Sequence, residues 1–212
     1  MIQINVSQLY NSHADETIAA LEQIPAMQRR RLSGIAKLAL NSAIHSLNLE
    51  SVDYIVWASQ YGDEHKTLKI LADVLQDQTP SPTQFSTSVH NAIAGLYSIL
   101  CQDATPSNSL AASWSEALIE AYAWLKTTPQ SNARVLIVYY DEALPEIYQE
   151  FQPFSGFAMS AVISLETPNL KLDINALTHH RHKYLDAQNF YDFWQQSEQD
   201  QEYPQVQAWQ KC

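Results

Sequence analysis

The chain has 212 residues, 46% of them apolar and 17% charged, with 23 Asp+Glu against 12 Lys+Arg and a formal net charge of −11. That is one domain's worth of chain with enough apolar side chains for a packed core, which excludes a disordered or fibrous architecture. The acidic sign excludes nonspecific nucleic-acid binding, which needs clustered Lys and Arg, and two cysteines form neither a disulfide framework nor a CxxC metal or redox site. In chain order, residues 1–6 read as extended, and residues 12–24, with Ala14, Ile18 and Leu21 at helical spacing, as a short helix ending before Pro25. Residues 28–47 carry Leu32, Ile35, Ala39, Ala43 and Leu47 at threes and fours and read as one helix of about five turns. The segment VDYIVWAS, residues 52–59, is nearly continuous in apolar character, as a strand covered on both faces is. A helix over 63–76 follows, then a loop around Pro80 and Pro82. Residues 87–102 read as a helix with Ile93, Leu96, Tyr97 and Leu100 on one side and the small Ser88, Ala92, Gly95 and Ser98 on another, an edge that permits close approach. Residues 107–111 read as a short strand, and Ser113-x-x-Glu116 as a capping box opening a buried helix. RVLIVYY (134–140) and FAMSAVISL (157–165) are buried strands. Strands alternating with helices give an α/β fold.

Beyond residue 182 the composition turns to Gln, acidic residues and aromatics, so the predicted organisation is a main domain over 1–182 and an aromatic, Gln-rich helical tail over 183–212 that docks on something. No run reaches the ~18 apolar residues of a membrane span, and the first residues lack the basic-then-apolar layout of a secretory signal; the expectation is a cytoplasmic protein with no membrane span. Gly34, Gly62, Gly95 and Gly156 stand too far apart for a phosphate-cradling loop, and no cofactor is expected.

Among chemistry-bearing residues, the run His179-His180-Arg181-His182 invites a metal, but adjacent extended residues point to alternate faces and no carboxylate is spaced to join them; no metal site is expected. His90 and Cys101 sit about three turns apart on the helix predicted there, too far for a dyad, and Cys101 reads as a small buried hydrophobe. Arg29-Arg30-Arg31 reads as a solvated run at a helix start. The segment SNSLAASWSEALIEA, residues 107–121, has the strand, turn and capped helix at which enzymes place a reactive thiol, yet its turn holds Leu110, Ala111 and Ala112, and Ser113 is the cap.

Several stretches, in order, resemble the N-terminal half of the β-ketoacyl synthases, the thiolase-fold condensing enzymes: RRRLSGIAKLALNSAIHSL, VDYIVWASQYGDEHKTLKIL, SPTQFSTSVHNAIAGLYSI, SNSLAASWSEALIEAYAWL, ARVLIVYYDEALPE and GFAMSAVISLE. The resemblance implies half of a thiolase-like fold, a mostly parallel, mixed five-stranded sheet flanked by helices. It places the family's nucleophile on Ala111, and nothing after Leu165 resembles the stretches that carry the family's two catalytic histidines. A nucleophile-free relative of this size resembles the chain length factors that pair with an active ketosynthase, and in particular the small ketosynthase-like subunit of bacterial aryl polyene synthesis.

The resemblance implies a noncatalytic subunit that pairs with a full-length β-ketoacyl-ACP synthase and shapes its acyl tunnel. Val89, His90, Ile93, Ala94 and Tyr97 are then expected at the tunnel or interface, and Ser109, Leu110 and Ala111 in a strand pairing across the dimer. Acyl carrier proteins are acidic, so a chain at −11 leaves their docking mainly to the partner, with Arg29, Arg30 and Arg31 a secondary contact. Two other readings stand beside it: a stand-alone acyl-transfer enzyme using Ser109 or Ser113 with His90 as base, and a scaffold that only stabilises the ketosynthase.

Overall fold

The computed structural model describes residues 1–14, 18–177, 180–196 and 208–212. Its centre is the parallel trio β2 (Tyr54–Ser59), β3 (Ser107–Ala111) and β4 (Val135–Asp141), with β2 in the middle: Trp57 lies opposite Ser109 on one side and Val138 on the other. β5 (Phe157–Ser164) runs antiparallel to β4, β1 (Ile2–His13) antiparallel to β5, and the short β6 (Leu170–Leu172) and β7 (Trp209–Lys211) extend the sheet beyond β1. The spatial order is β3-β2-β4-β5-β1-β6-β7.

Among the described residues the sheet therefore has seven strands where five were expected, and β3-β2 and β2-β4 are its parallel pairs, against four antiparallel ones. The reason lies in the connection after β4. A parallel return needs a crossover, usually a helix laid over one face, whereas residues 142–156 form turns without a helix and feed straight back as β5. Three predicted helices also change. Ile2, Ile4 and Val6 are buried alternately with Gln3 and Asn5, so β1 continues to His13 and only a 3-10 turn, Ala19–Gln23, remains of the helix read over 12–24. The long helix over 28–47 is two: α1 (Ala26–Arg29) and α2 (Gly34–Leu47), parted because Ser33 turns extended and its Oγ accepts the Ala36 N–H at 3.2 Å. The helix over 87–102 starts only at Ala92, preceded by the five-residue α4 (Pro82–Ser86), which Ser81 and Gln84 close with a capping box.

α2 and α5 (Ala92–Cys101) cover one face of the sheet, α6 (Trp114–Thr127) and α7 (Tyr184–Gln195) the other. β4 shows the division: Leu136, Val138 and Tyr140 join the α2/α5 core, Val135, Ile137 and Tyr139 the α6/α7 core. Phe190, Phe193 and Trp209 of the C-terminal segment belong to the latter, and β7 pairs with β6. Where β1 slips register between Ser7 and Tyr10, Gln8 turns to φ +54° and Ser46 of α2 donates to its carbonyl at 2.7 Å. Nearby, the Asn169 side chain pairs with the backbone of Val6 like a strand residue, accepting its N–H at 2.8 Å and donating to its C=O at 2.9 Å. α3 (Glu64–Leu75) buries no residue, and among the described residues β3 has a sheet neighbour on one side alone.

Candidate functional site

In an open sheet with parallel strands, ligands and reactive groups gather beyond the strands' carboxyl ends. Here those ends are Ser59, Ala111 and Asp141. β3 leads through Ala112 into α6, whose first turn is a capping box: Glu116 Oε2 accepts the Ser113 N–H at 2.6 Å and Ser113 Oγ accepts the Glu116 N–H at 3.3 Å. The next donor is claimed from α7, where the buried Asp186 accepts the Ser115 N–H at 2.7 Å and the Ser115 hydroxyl at 3.1 Å; that same hydroxyl accepts Trp209 Nε1–H at 3.0 Å. Burial lifts the Asp186 carboxyl above its ordinary value against the pull of Ser115. Lys183 donates its ammonium to Glu116 at 2.6 Å and to the Ala111 carbonyl at 3.1 Å. Burial alone raises Glu116, but Lys183 and the Ser113 N–H outweigh it and leave the carboxyl below its ordinary value. The positive end of α6 thus faces two carboxylates of its own chain.

The ends of β2 and β4 are tied by Asp141. Its fully buried carboxylate accepts the Ser59 hydroxyl at 2.9 Å, the Gln60 N–H at 3.2 Å and the Tyr139 hydroxyl. Desolvation dominates over these donors and pushes the Asp141 carboxyl up to about 6. Ser59 Oγ in turn accepts the Gly62 N–H at 2.7 Å. Gly62 has φ +72°, left-handed backbone that a side chain resists, and its α-carbon faces the His90 ring. The neighbouring Glu142 is pushed up to about 7 by burial, with His65 opposing and Asp63 and Asp141 adding to the rise.

The residues expected at the tunnel or interface divide. Ile93 and Tyr97 are 2% and 3% exposed, and with Ala94 they pack in the chain's own α2/α5 core; the Tyr97 ring sits 5.3 Å from Trp57 and its hydroxyl donates to Asp103 at 2.8 Å. Val89 is exposed and His90 precedes α5 rather than sharing it with Cys101; its Nε2–H donates to the Ser59 carbonyl at 3.2 Å. His90, Ala94, Gly95 and Ser98 line a groove whose other wall is Ser107, Asn108 and Ser109 of β3. Leu110 is half-buried and Ala111 exposed. No hydrogen bond joins His90 to Ser109 or Ser113 among the described residues, and Ser113 Oγ serves the cap. Cys101 is no better placed for nucleophilic work: burial first and Asp103 second push its thiol up to about 11. Among the described residues no group of His, Cys, Asp and Glu is arranged to hold a metal, and His179 of the histidine run lies outside them. Arg29 ends α1, while Arg30 and Arg31 lie between α1 and α2.

Sequence reasoning missed Asp141, Gln60, Lys183 and Asp186. Asp141 was visible as an acidic residue closing an apolar strand; the other three carry no local signal, because their partners lie 67 to 123 residues away.

No curated protein matches the chain. Among solved structures it is similar to a chain of a ketosynthase (ApeO) in complex with its chain length factor (ApeC) from Xenorhabdus doucetiae, at 23% identity and a TM-score of 0.70, covering 81% of this chain and 82% of that one. It is also similar to a β-ketoacyl synthase from Burkholderia phymatum STM815, at 13% identity and a TM-score of 0.54, covering 82% of this chain and 65% of that one. Both likenesses concern the fold, which is thiolase-like. The model of the β-ketoacyl synthase N-terminal domain matches residues 5–211, and the chain belongs to that family.

Proposed function

We propose that this chain is a noncatalytic, chain-length-factor-like subunit that pairs with an active β-ketoacyl-ACP synthase and shapes the acyl tunnel in polyketide, aryl polyene or fatty-acid-like chain elongation. The observation that carries the reading is the junction of β3 and α6. The residues there are Ala111 and Ala112, without a nucleophile, and the donors of Ser113, Ser115 and Glu116 already serve Glu116, Asp186 and Ser113. An anion forming at that spot meets two carboxylates instead of free N–H groups.

Pairing is supported by surface that this chain leaves uncovered. β3 (SNSLA) has no Lys, Pro or bulge to guard its open side. Near it in sequence, α3, α4 and α5 expose Leu75 at 86%, Phe85 at 64% and Ile99 at 75%. A strand edge with apolar helices is what a large obligate interface covers. The nearly equal shares covered in the ApeO–ApeC comparison mean that the matched chain is about as long as this one. A net charge of −11 leaves the acidic carrier protein to dock mainly on the ketosynthase.

The test is coexpression with a ketosynthase encoded beside this chain. A stable complex, with elongation lost when this chain is omitted, is the expected result. Separate purification of both proteins, with full elongation by the synthase alone, refutes it. Ser109→Ala and Ser113→Ala in the pair check the stand-alone acyl-transfer reading, which needs turnover to collapse while the complex stays intact.

A further inference from the structure

We propose that residues 181–186 form an internal strap across the carboxyl ends of the parallel strands, in which Lys183 and Asp186 are positioning residues that fix where β3 ends. The strap is held on every side. Gln60, just past β2, clamps it through two backbone groups: its side-chain oxygen accepts the Lys183 N–H at 2.8 Å and its Nε2 donates to the Arg181 carbonyl at 3.0 Å. The Lys183 ammonium bridges the last carbonyl of β3, on Ala111, and Glu116 in the first turn of α6. Asp186 takes the Ser115 N–H and hydroxyl, and Tyr184 stacks on Phe154 of the β4–β5 connection at 3.9 Å between ring centres while its hydroxyl donates to Gln152 at 3.1 Å.

The groups that tie the strap down come from the residue after β2, from β3, from α6 and from the β4–β5 connection; those of Lys183 and Asp186 meet where β3 becomes α6. Among the described residues β3 is an edge strand with β2 as its one sheet neighbour, and the Asn108 amide, donating to Glu120 of α6 at 2.8 Å, ties down its middle rather than its end. A five-residue strand paired on one side is most prone to fray at its end. Lys183 holds it, with a charge-assisted bond whose ammonium is itself fixed by Glu116. Where this chain pairs with a ketosynthase through β3, a part of the inference that rests on the function proposed above, the strap sets the geometry of that edge from within the subunit.

The experiment is amide hydrogen exchange on the full chain, alone and in complex with the coexpressed ketosynthase, for wild type, Lys183→Met and Lys183→Arg. Lys183 is partly exposed and its replacement leaves the apolar face of α7 intact, so the methionine variant folds. Exchange in residues 110–116 is expected to speed up about tenfold in Lys183→Met and stay near wild type in Lys183→Arg, while β4 and β5 are unchanged. Affinity for the ketosynthase is expected to fall about tenfold in the methionine variant alone. Unchanged exchange over 110–116 overturns the strap; faster exchange with unchanged affinity overturns the positioning role. If wild type binds no ketosynthase, the function proposed above fails, and the strap is still decided by the exchange of the free chain.

Discussion

Replacing Asp141 with Asn isolates the cost of holding a carboxylate under the β2–β4 ends. Burial moves this carboxyl from its ordinary 3.8 to about 6 in the folded chain. At 1.36 kcal/mol per pH unit, charging it inside the protein costs about 3 kcal/mol relative to the unfolded chain. The sign follows from proton binding. Between pH 3.8 and 6 the folded state keeps a proton that the unfolded state has lost, so stability falls as pH rises through this window and is flat above it. Asn retains an oxygen for Ser59 and Gln60 but cannot ionise, and its amide meets the Tyr139 hydroxyl that now donates to Asp141. Urea unfolding of both proteins from pH 4 to 7.5 is therefore expected to show the wild type losing about 2 kcal/mol relative to Asp141→Asn across that range. Taking the difference removes the other carboxylates, except that Asp141 also helps raise Glu142, which adds to the effect with the same sign near pH 7. Parallel profiles, differing by a constant offset, refute the reasoning.

Two substitutions separate core from contact surface. Ile93→Ala removes a fully packed side chain from the α2/α5 core and is expected to cost about 2–5 kcal/mol in urea unfolding; unchanged stability removes Ile93 from that core. Leu75→Glu changes a side chain already in solvent, so the free chain is expected to keep its stability within about 0.5 kcal/mol while copurification with the ketosynthase drops. Loss of stability there, or undiminished copurification, removes α3 from the interface.

Local chemistry made much of this fold legible. The Ser113–Glu116 capping box, the strands around Val56 and Val138, and the stretch 64–75 all follow from rules acting within a few residues. Errors arose where distant partners decide. Residues 7–13 lack a strand's alternation, yet they pair with β5 through a bulge that Ser46 supports. β6 and β7 are three residues each, too short for any periodicity; β6 exists because β1 offers an edge, and β7 because β6 in turn does. The site shows the same limit. Ala111 marked the position where a nucleophile is missing, but the groups surrounding it, Gln60, Lys183 and Asp186, arrive from segments whose composition says nothing about where they land.

The hydrogen bonds between Val6 and Asn169 span 163 residues. On a ribosome adding roughly 5–20 residues per second, that separation is a wait of roughly 10–30 s during which the first strand has been made and its neighbours have not. Its apolar face, Ile2, Ile4 and Val6, stays bare through that interval. Synthesis of this polypeptide thus includes a period of exposure for β1, when a holding chaperone has the most to protect, and slower translation of the stretch before β5 lengthens the risk.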